Sequence, residues 1–500
     1  MADIDHVFVL VMENRSFDHL FGLSGINGVQ PPGDSWHFSD GAADRLTVDP
    51  PHEFDDVAQQ LSGTPPMSGF SIGISADVAM RGFRPSALPV VSQLAQNFVL
   101  FDNWFSSMPG PTWPNRFFVH AASSGGLDNS PDGFTSGVSV TIDSLGFAFK
   151  NGTIFDRLTA HGKKWRVYHA DAFPQVLAIK GLVGGFFHSD TFRSIAPGAG
   201  DDFFKRDLAS GYDIAYTFIE PDYGLLSGNF ANGNSQHPVG AMAAGENFIK
   251  YVYETIRKSP IWRKSVLLIT WDEHGGFFDH KPPPSAEPPG DGDQNRHRAL
   301  HPRQFAFDKL GVRVPALLIS PWAPHGELGS KLFPSPGSPD GVAFDHASIV
   351  RSVLETFGID APLTQRDAAS PSWNGVLLDQ PRVDGSDGPL TLDSAPTPAH
   401  NVAPAETASV TANHIGGFAI IAHALDLQMA KDKEQAAAIH DTALFAERLS
   451  PGIVAPVGDE LDPARAQTPA GQAAVNPISS ETLADYVTYI ARMTKAHKRP

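Results

Sequence analysis

Two pairs of oxygen-bearing side chains directly follow apolar runs in this chain. Glu13 and Asn14 follow the run Val7–Met12, and Asp272 and Glu273 follow the segment SVLLITW. Apolar runs of this length predict buried strands, and open α/β sheets bind ligands beyond the carboxyl ends of their strands. Four oxygen donors at one sheet edge suit a divalent cation such as Mg²⁺, Ca²⁺ or Mn²⁺, with Zn²⁺ as an alternative. Either pair alone is also typical of an ordinary polar strand end.

Thr112 is a candidate nucleophile. The segment PGP, residues 109–111, forces a tight bend, and Pro114 suits the first turn of a helix, so we expect Thr112 at the N-cap. The free N–H groups of a helix start form a phosphate site. A metal ion that also contacted the hydroxyl would stabilise its alkoxide. The alternative is that Thr112 only caps the helix.

Several histidines could donate protons or hydrogen bonds to an oxyanion or a leaving alkoxide near neutral pH. The candidates are His52 in DPPHEFDD, His169 at the end of WRVYH, His237 in NSQHPVG, and His274 and His280 in DEHGGFFDH. His52 and His237 lie in long loops, where functional residues concentrate. The glycine pair after His274 allows a close backbone approach or a sharp turn. Each histidine taken singly could instead be structural.

The elements that must position these groups follow an alternating pattern. Strand-like segments are VFVLVM (7–12), WRVYH (165–169), SVLLITW (265–271) and VPALLIS (314–320). Helical patterns cover 151–162 with Gly162 as C-cap, 241–258, and 344–358 with Asp345 as N-cap. This alternation predicts an α/β fold with a mostly parallel central sheet and helices on both faces.

Other stretches have no such pattern. Residues 28–75 and 180–240 are rich in Gly, Pro, Asp and Ser and predict long loop insertions, and 281–303 is too rich in Pro to be helix or strand throughout. A Pro/Ala-rich extended segment is expected from about 360 to 412, followed by helical pieces near 414–430 and 481–495. We therefore predict a catalytic domain over 1–358 and an extended, helical C-terminal tail over 359–500.

Composition narrows the class of protein. The 500 residues carry a net charge of −18, which argues against nucleic acid as a partner, although a metal could still neutralise a phosphorylated substrate. There is no cysteine, so disulfides, thiolate catalysis and Cys-containing zinc sites are excluded. No apolar run is long enough to span a membrane. The beginning MADIDHVFVL has no signal peptide, so a cytoplasmic location is expected, or a secreted or periplasmic one if a leader was removed.

The motifs ENRSFDH, PTWPNR, QHP and DEHGGFFDH occur in this order between residues 6 and 357. They resemble the bacterial and plant phosphoesterase family, which contains non-specific phospholipases C and AcpA-type acid phosphatases. The resemblance implies an alkaline-phosphatase-like core holding one divalent metal. The implied ligands are Glu13, Asn14, Thr112, Asp272 and Glu273. The implied residues around the phosphoryl group are His52, His169, His237 and Asn115, with Thr112 as nucleophile.

The resemblance implies hydrolysis in two in-line displacements through a covalent phospho-Thr112. Phosphodiesters of phospholipids are the favoured substrates, because threonine at this position is usual in the phospholipase branch. An acid phosphatase acting on small phosphomonoesters with the same site is the alternative, and a non-catalytic binding protein of this fold is the third hypothesis. Membrane contact would be peripheral at most. The short tail lacks the added β-domains of the larger secreted phospholipases.

Overall fold

The computed structural model describes residues 2–396, Ile421 and Leu425, with gaps at 72–75, 131–145, 172–173, 189–190, 200–201, 225–231, 293–303, 336–337 and 339. The predicted helical pieces near 414–430 and 481–495 lie outside the described residues, apart from Ile421 and Leu425. Among the described residues, no helix combines the length and the apolar character needed to cross a membrane.

A central sheet organises the molecule. The strands are β1 His6–Met12, β2 Ser39–Asp40, β3 Arg81–Gly82, β4 Val99–Phe101, β5 Trp165–His169, β6 Phe192–Ser194, β7 Tyr216–Glu220, β8 Ser265–Trp271 and β9 Ala316–Ile319. Seven of them form one sheet in the order β4-β9-β8-β1-β7-β5-β6, and β2 pairs with β3 separately. Within the seven, β9 runs antiparallel to both neighbours, and the other pairings are parallel. The predicted mostly parallel sheet is confirmed.

The helices are α1 Phe17–Phe21, α2 Phe54–Gln60, α3 Ala76–Ala79, α4 Pro89–Asn97, α5 Thr112–Ala121, α6 Ile154–Ala160, α7 Leu182–His188, α8 Phe203–Leu208, α9 Met242–Arg257, α10 Gly329–Leu332, α11 Ala347–Thr356 and α12 Gln365–Ala369. They cover both faces. Phe8 of β1 packs edge-on against Phe204 of α8, and Phe218, which pairs with Val9 and so faces the other way, packs against His120 of α5. Both sides of the sheet are therefore buried, which explains its near-continuous apolar strands.

Several predicted elements need correction. The segment 180–240 is not one irregular stretch, because it contains α7, β6, α8 and β7. The short run YTFIE forms β7 because it is held between β1 and β5, a tertiary effect that local composition does not show. The predicted strand 314–320 is shorter, at Ala316–Ile319.

The helix ends also differ from the prediction. Gly162 is not the C-cap of α6 but follows the C-cap His161 with a φ of 67°. Asp345 is not the N-cap of α11, since His346 holds that place. The Asp345 carboxylate instead accepts hydrogen bonds from the hydroxyl of Ser107 and from Arg366.

The chain after residue 358 packs on the same core as the sheet. The buried members of that core include Ile359, Leu363, Trp373, Val376, Leu392, Ile421 and Leu425. Asp387 accepts hydrogen bonds from Arg257 at 2.7 Å and from the indole of Trp262 at 2.8 Å. The division of the chain at residue 358 stays a prediction.

Candidate active site

The two strand ends that carry the oxygen donors lie side by side. β1 and β8 are parallel neighbours, and Met12 lies opposite Trp271. Glu13-Asn14 and Asp272-Glu273 therefore leave the sheet together at its carboxyl edge. The backbone N–H of Asn14 donates to Oδ1 of Asp272 at 3.0 Å, which ties the two segments to each other.

Asn14 turns the chain sharply at this edge. Its φ is 57°, in the left-handed region that Asn adopts more readily than most residues. Gly275 makes the turn possible, because a Cβ at that position would lie 2.3 Å from the backbone oxygen of Asn14. The predicted close approach at the glycine pair is confirmed. As a result the Asn14 side chain points at Thr112 and His52.

Thr112 is the first residue of α5, and Pro111 is the N-cap, so the predicted N-cap position of Thr112 is wrong by one residue. The buried Thr112 hydroxyl donates to Oδ1 of Asn14 at 3.4 Å. It therefore faces the strand-end oxygens and does not cap its own helix. The PGP bend thus places the Thr112 hydroxyl beside the strand ends that carry the carboxylates, as the nucleophile hypothesis requires.

Asn115 lies beneath this bend. Its amide oxygen accepts from the backbone N–H of Met108 at 3.1 Å, and its amide nitrogen donates to the backbone oxygens of Gly110 and Pro111, each at 3.0 Å. Both ends of the amide are thus engaged by the loop before Thr112. The structure places Asn115 as a brace for that loop, and the predicted contact with phosphate stays a prediction.

The carboxylates at the sheet edge are fully buried, which is costly for negative charge. Burial raises the pKa of Glu13 to about 8, and the neighbouring Asp272 adds to the rise while Arg116 opposes it. Burial likewise raises the pKa of Asp272 to about 6, again against Arg116. Oε2 of Glu13 and Oε1 of Glu273 accept no hydrogen bond from the described residues. Buried carboxylate oxygens that accept no hydrogen bond, beside an amide oxygen, fit a hard divalent cation.

A second group of buried side chains, Asp49, His52 and His237, lies beside the carboxylates. Nε2 of His237 lies 3.6 Å from Oδ2 of Asp49, and Nδ1 of His52 lies 3.9 Å from Oδ1 of the same carboxylate. One ligand atom from each residue lies within 4.8 Å of the others, a spacing that could also hold a metal ion. We call these three residues the histidine cluster. Asp49 was missed by the sequence analysis, although it stands three residues before His52 in DPPHEFDD.

His52 joins the two groups. Its Nδ1 donates to the backbone oxygen of Pro50 at 2.6 Å, and its Nε2 lies 3.2 Å from the amide nitrogen of Asn14 and 3.8 Å from Oε1 of Glu273. Burial disfavours the charged ring, but Glu273 and Asp49 outweigh it and raise the pKa of His52 to about 10. The Asn14 amide can donate only to an unprotonated Nε2. Protonation of the ring at Nε2 would therefore break this contact with Asn14.

His169 lies farther from this centre. It ends β5, which is separated from β1 by β7, so the strand spacing puts it about 10 Å away along the sheet. Its Nδ1 contacts the backbone oxygen of Asp171 at 2.6 Å. The structure thus brings His52 and His237 to the oxygen donors and leaves His169 at the rim of the same sheet edge.

The motif residues beside the site brace its loops. The Arg15 guanidinium donates to the backbone oxygens of Gln236 at 2.7 Å and His237 at 3.3 Å, which holds the QHP segment. His274 contacts Oε2 of Glu273 at 3.2 Å and the side chain of Gln60 at 2.8 Å. These contacts position other residues of the site.

His280 belongs to a separate buried cluster with Asp18 and Asp279, whose spacing also suits a metal. Here a guanidinium supplies the positive charge. Arg313 donates through Nε to both oxygens of Asp279 at 3.1 Å and through Nη2 to Asp18 at 2.9 Å. The cluster is therefore a buried ion-pair network that ties α1 to the chain before β9.

We expect Arg313→Met to destabilise the protein by roughly 3–5 kcal/mol, because it leaves two buried carboxylates without their cation. Urea unfolding followed by circular dichroism measures this change. Arg84→Met is the matched control, since Arg84 pairs with Asp40 in solvent and should show no measurable effect. Equal stability of the two variants would contradict the network.

The sequence of this chain is similar to that of a known family and of several of its members. A family model described as the Phosphoesterase family matches residues 4–360. Non-specific phospholipase C6 of Arabidopsis thaliana is 35% identical over 82% of this chain and 78% of its own length. Phospholipase C B of Mycobacterium tuberculosis is 27% identical over 77% of this chain and 81% of its own.

Among solved structures, a protein in the alkaline phosphatase superfamily from Vibrio parahaemolyticus aligns over 74% of this chain and 71% of its own, with 12% identity and a TM-score of 0.37. The family match spans the strands, α5 and the whole cluster at the sheet edge. The chain belongs to the Phosphoesterase family.

Proposed function

We propose that this phosphoric ester hydrolase is a metal-dependent enzyme of phospholipase C type that cleaves phosphodiesters of phospholipids through a covalent phospho-Thr112. Its relatives named phospholipase C support the reaction class. The observation that carries the proposal is the buried Thr112 hydroxyl, held 3.4 Å from Oδ1 of Asn14 at the edge where three buried carboxylates meet.

The reaction proceeds by two in-line displacements, in which Thr112, His237 and His52 have different roles. Oγ1 of Thr112 releases its proton to solvent and attacks phosphorus, and the bond from phosphorus to the oxygen of the alcohol or diacylglycerol breaks. His237, beside Asp49, donates a proton to that leaving oxygen. Water then attacks the phosphothreonine, Thr112 leaves with a proton, and phosphate or a phosphorylated headgroup is released. His52 and the backbone N–H groups at the start of α5 face the equatorial oxygens.

Glu13, Asn14, Thr112, Asp272 and Glu273 would hold the cation. When bound, a divalent ion would polarise a phosphoryl oxygen and lower the pKa of the attacking hydroxyl. The carboxylates alone repel a phosphate, so the metal-free site should be inactive.

We therefore expect EDTA followed by gel filtration to abolish hydrolysis of p-nitrophenyl phosphate, because the buried Asp272 and Glu273 carboxylates then face the anionic substrate with no cation between them. Adding back Mg²⁺, Ca²⁺, Mn²⁺ or Zn²⁺ singly should restore activity with one of them. Metal analysis by mass spectrometry before and after chelation gives the stoichiometry. Full activity in a preparation shown to be metal-free would rule out the metal-dependent mechanism.

The substrate class is tested by incubating the purified protein with phosphatidylcholine vesicles and, separately, with p-nitrophenyl phosphate. Release of diacylglycerol is the expected result. Cleavage of the monoester alone would select the acid phosphatase that uses the same site. Turnover of neither substrate, with one metal bound, would favour the non-catalytic binding protein.

A further inference from the structure

Arg116 donates a hydrogen bond to one of the buried carboxylates, that of Asp272. It lies one turn into α5, and its buried Nε donates to Oδ2 of Asp272 at 2.9 Å. Its Nη2 donates to the backbone oxygens of Val11 and Met12, each at 3.3 Å. The single guanidinium therefore joins the helix that carries Thr112 to the ends of β1 and β8.

Gln175 holds the other carboxylate. Its side-chain amide donates to Oε1 of Glu13 at 3.1 Å. The backbone N–H groups of Gln175 and Val176 donate to the buried carboxylate of Glu220, at 2.6 and 3.0 Å. Glu220 ends β7, the strand next to β1, so the sheet itself fixes the place of Gln175.

Tyr223 connects the two halves. Its hydroxyl accepts from Nη1 of Arg116 at 2.9 Å and donates to Oε2 of Glu220 at 2.9 Å. The chain of contacts runs from Asp272 through Arg116, Tyr223, Glu220 and Gln175 to Glu13, and these side chains are buried. No member of the path between the two carboxylates belongs to the ligand set or to the histidine cluster.

We propose that Arg116 and Gln175, linked through Tyr223 and Glu220, are positioning residues that set the separation and orientation of Asp272 and Glu13 for a divalent cation. The inference rests on the proposed metal dependence. Hydrogen-bond partners that orient metal ligands change affinity by about 10–100-fold when they are removed. The path would also couple the metal site to Thr112, because Arg116 lies on the same helix.

The test measures metal affinity directly. Metal-free protein is titrated calorimetrically with Mg²⁺, Ca²⁺, Mn²⁺ and Zn²⁺, and the ion that binds wild type most tightly at one equivalent is used throughout. Arg116→Lys keeps the charge but loses the planar fork, and should weaken binding by about 10–100-fold. Tyr223→Phe removes one hydroxyl and should weaken it several-fold. Tyr212→Phe is the control, since it removes a buried hydroxyl that bonds Thr217 away from the site.

A double-mutant cycle supplies the sharper result. If Arg116 and Tyr223 act through one path, the double variant should lose less affinity than the two single losses added together. Affinities in Arg116→Lys and Tyr223→Phe that match wild type, or that fall no further than Tyr212→Phe, would overturn the inference and leave the metal site standing. Failure of every ion to bind wild type would instead contradict the metal-dependent function. If Arg116→Lys does not fold, the Tyr223 and Tyr212 comparison decides alone.

Discussion

Thr112→Ala should reduce turnover of both p-nitrophenyl phosphate and phosphatidylcholine by roughly 10³-fold or more, because it removes the attacking oxygen. The fold should survive. The hydroxyl makes one long contact, at 3.4 Å to Asn14, and α5 starts from the PGP bend braced by Asn115, which the substitution leaves intact. Initial rates together with a thermal unfolding curve measure both effects.

Thr112→Ser is the matched variant, since it keeps an oxygen at the same position without the methyl group. Partial activity in the serine variant and none in the alanine variant would assign the loss to the hydroxyl. Undiminished hydrolysis by Thr112→Ala, with metal bound as in wild type, would refute the nucleophile.

Glu13→Gln should produce opposite effects on function and on stability. The amide is a weaker and neutral ligand, so we expect loss of stoichiometric metal binding and of most activity. In the metal-free protein the same change should be stabilising at alkaline pH, because it removes a buried carboxylate whose Oε2 accepts no hydrogen bond among the described residues.

The sign follows from the pKa of Glu13, which burial raises to about 8 from an ordinary 4.5. Between these values the folded metal-free protein holds a proton that the unfolded chain has lost, so its stability falls as pH rises through this window. The loss is roughly 1.4 kcal/mol for each pKa unit. Glu13→Gln has no such proton, so the free energy of unfolding of the variant should lack the pH dependence that Glu13 contributes.

Urea unfolding of both metal-free proteins at pH 5, 7 and 9 measures the difference. The stability of the variant relative to wild type should rise from pH 5 to about pH 8 and then level off. Parallel stability profiles, or a variant less stable at pH 9, would show that Glu13 is not a strained buried acid. Metal-free Glu287→Gln is the matched control, because it makes the same change at an exposed position.

The sequence predicted the oxygen cluster because each half follows a strand whose apolar run is unmistakable, and strand ends of a parallel sheet meet at one edge. Thr112 was predicted for a related reason, since the PGP bend marks the helix start to within one residue. Both predictions rest on short local sequence patterns. They hold because the apolar residues of these patterns are buried in the folded protein.

Other parts of the site depend on contacts between distant segments. Asp49 gains its place from His237, which lies far along the chain in a loop held by Arg15. Arg116 was visible in PTWPNR, but its partner Tyr223 follows β7, and Glu220, which bonds Tyr223, ends that strand. The composition of the surrounding stretch predicts a loop and gives no sign of β7. The five-residue segment YTFIE, followed by Pro221, does not by itself specify an internal strand, and it becomes one because it pairs with β1 and β5.

The central claim is a phosphoryl group carried covalently by Thr112, and rapid acid quench followed by mass spectrometry tests it most directly. The metal-loaded enzyme is mixed with excess p-nitrophenyl phosphate, quenched during turnover, digested and sequenced by fragmentation. We expect a phosphoryl group on Thr112 of the wild-type enzyme and no phosphorylated peptide from Thr112→Ala. Rapid turnover with unmodified Thr112 at every quench time would contradict the account.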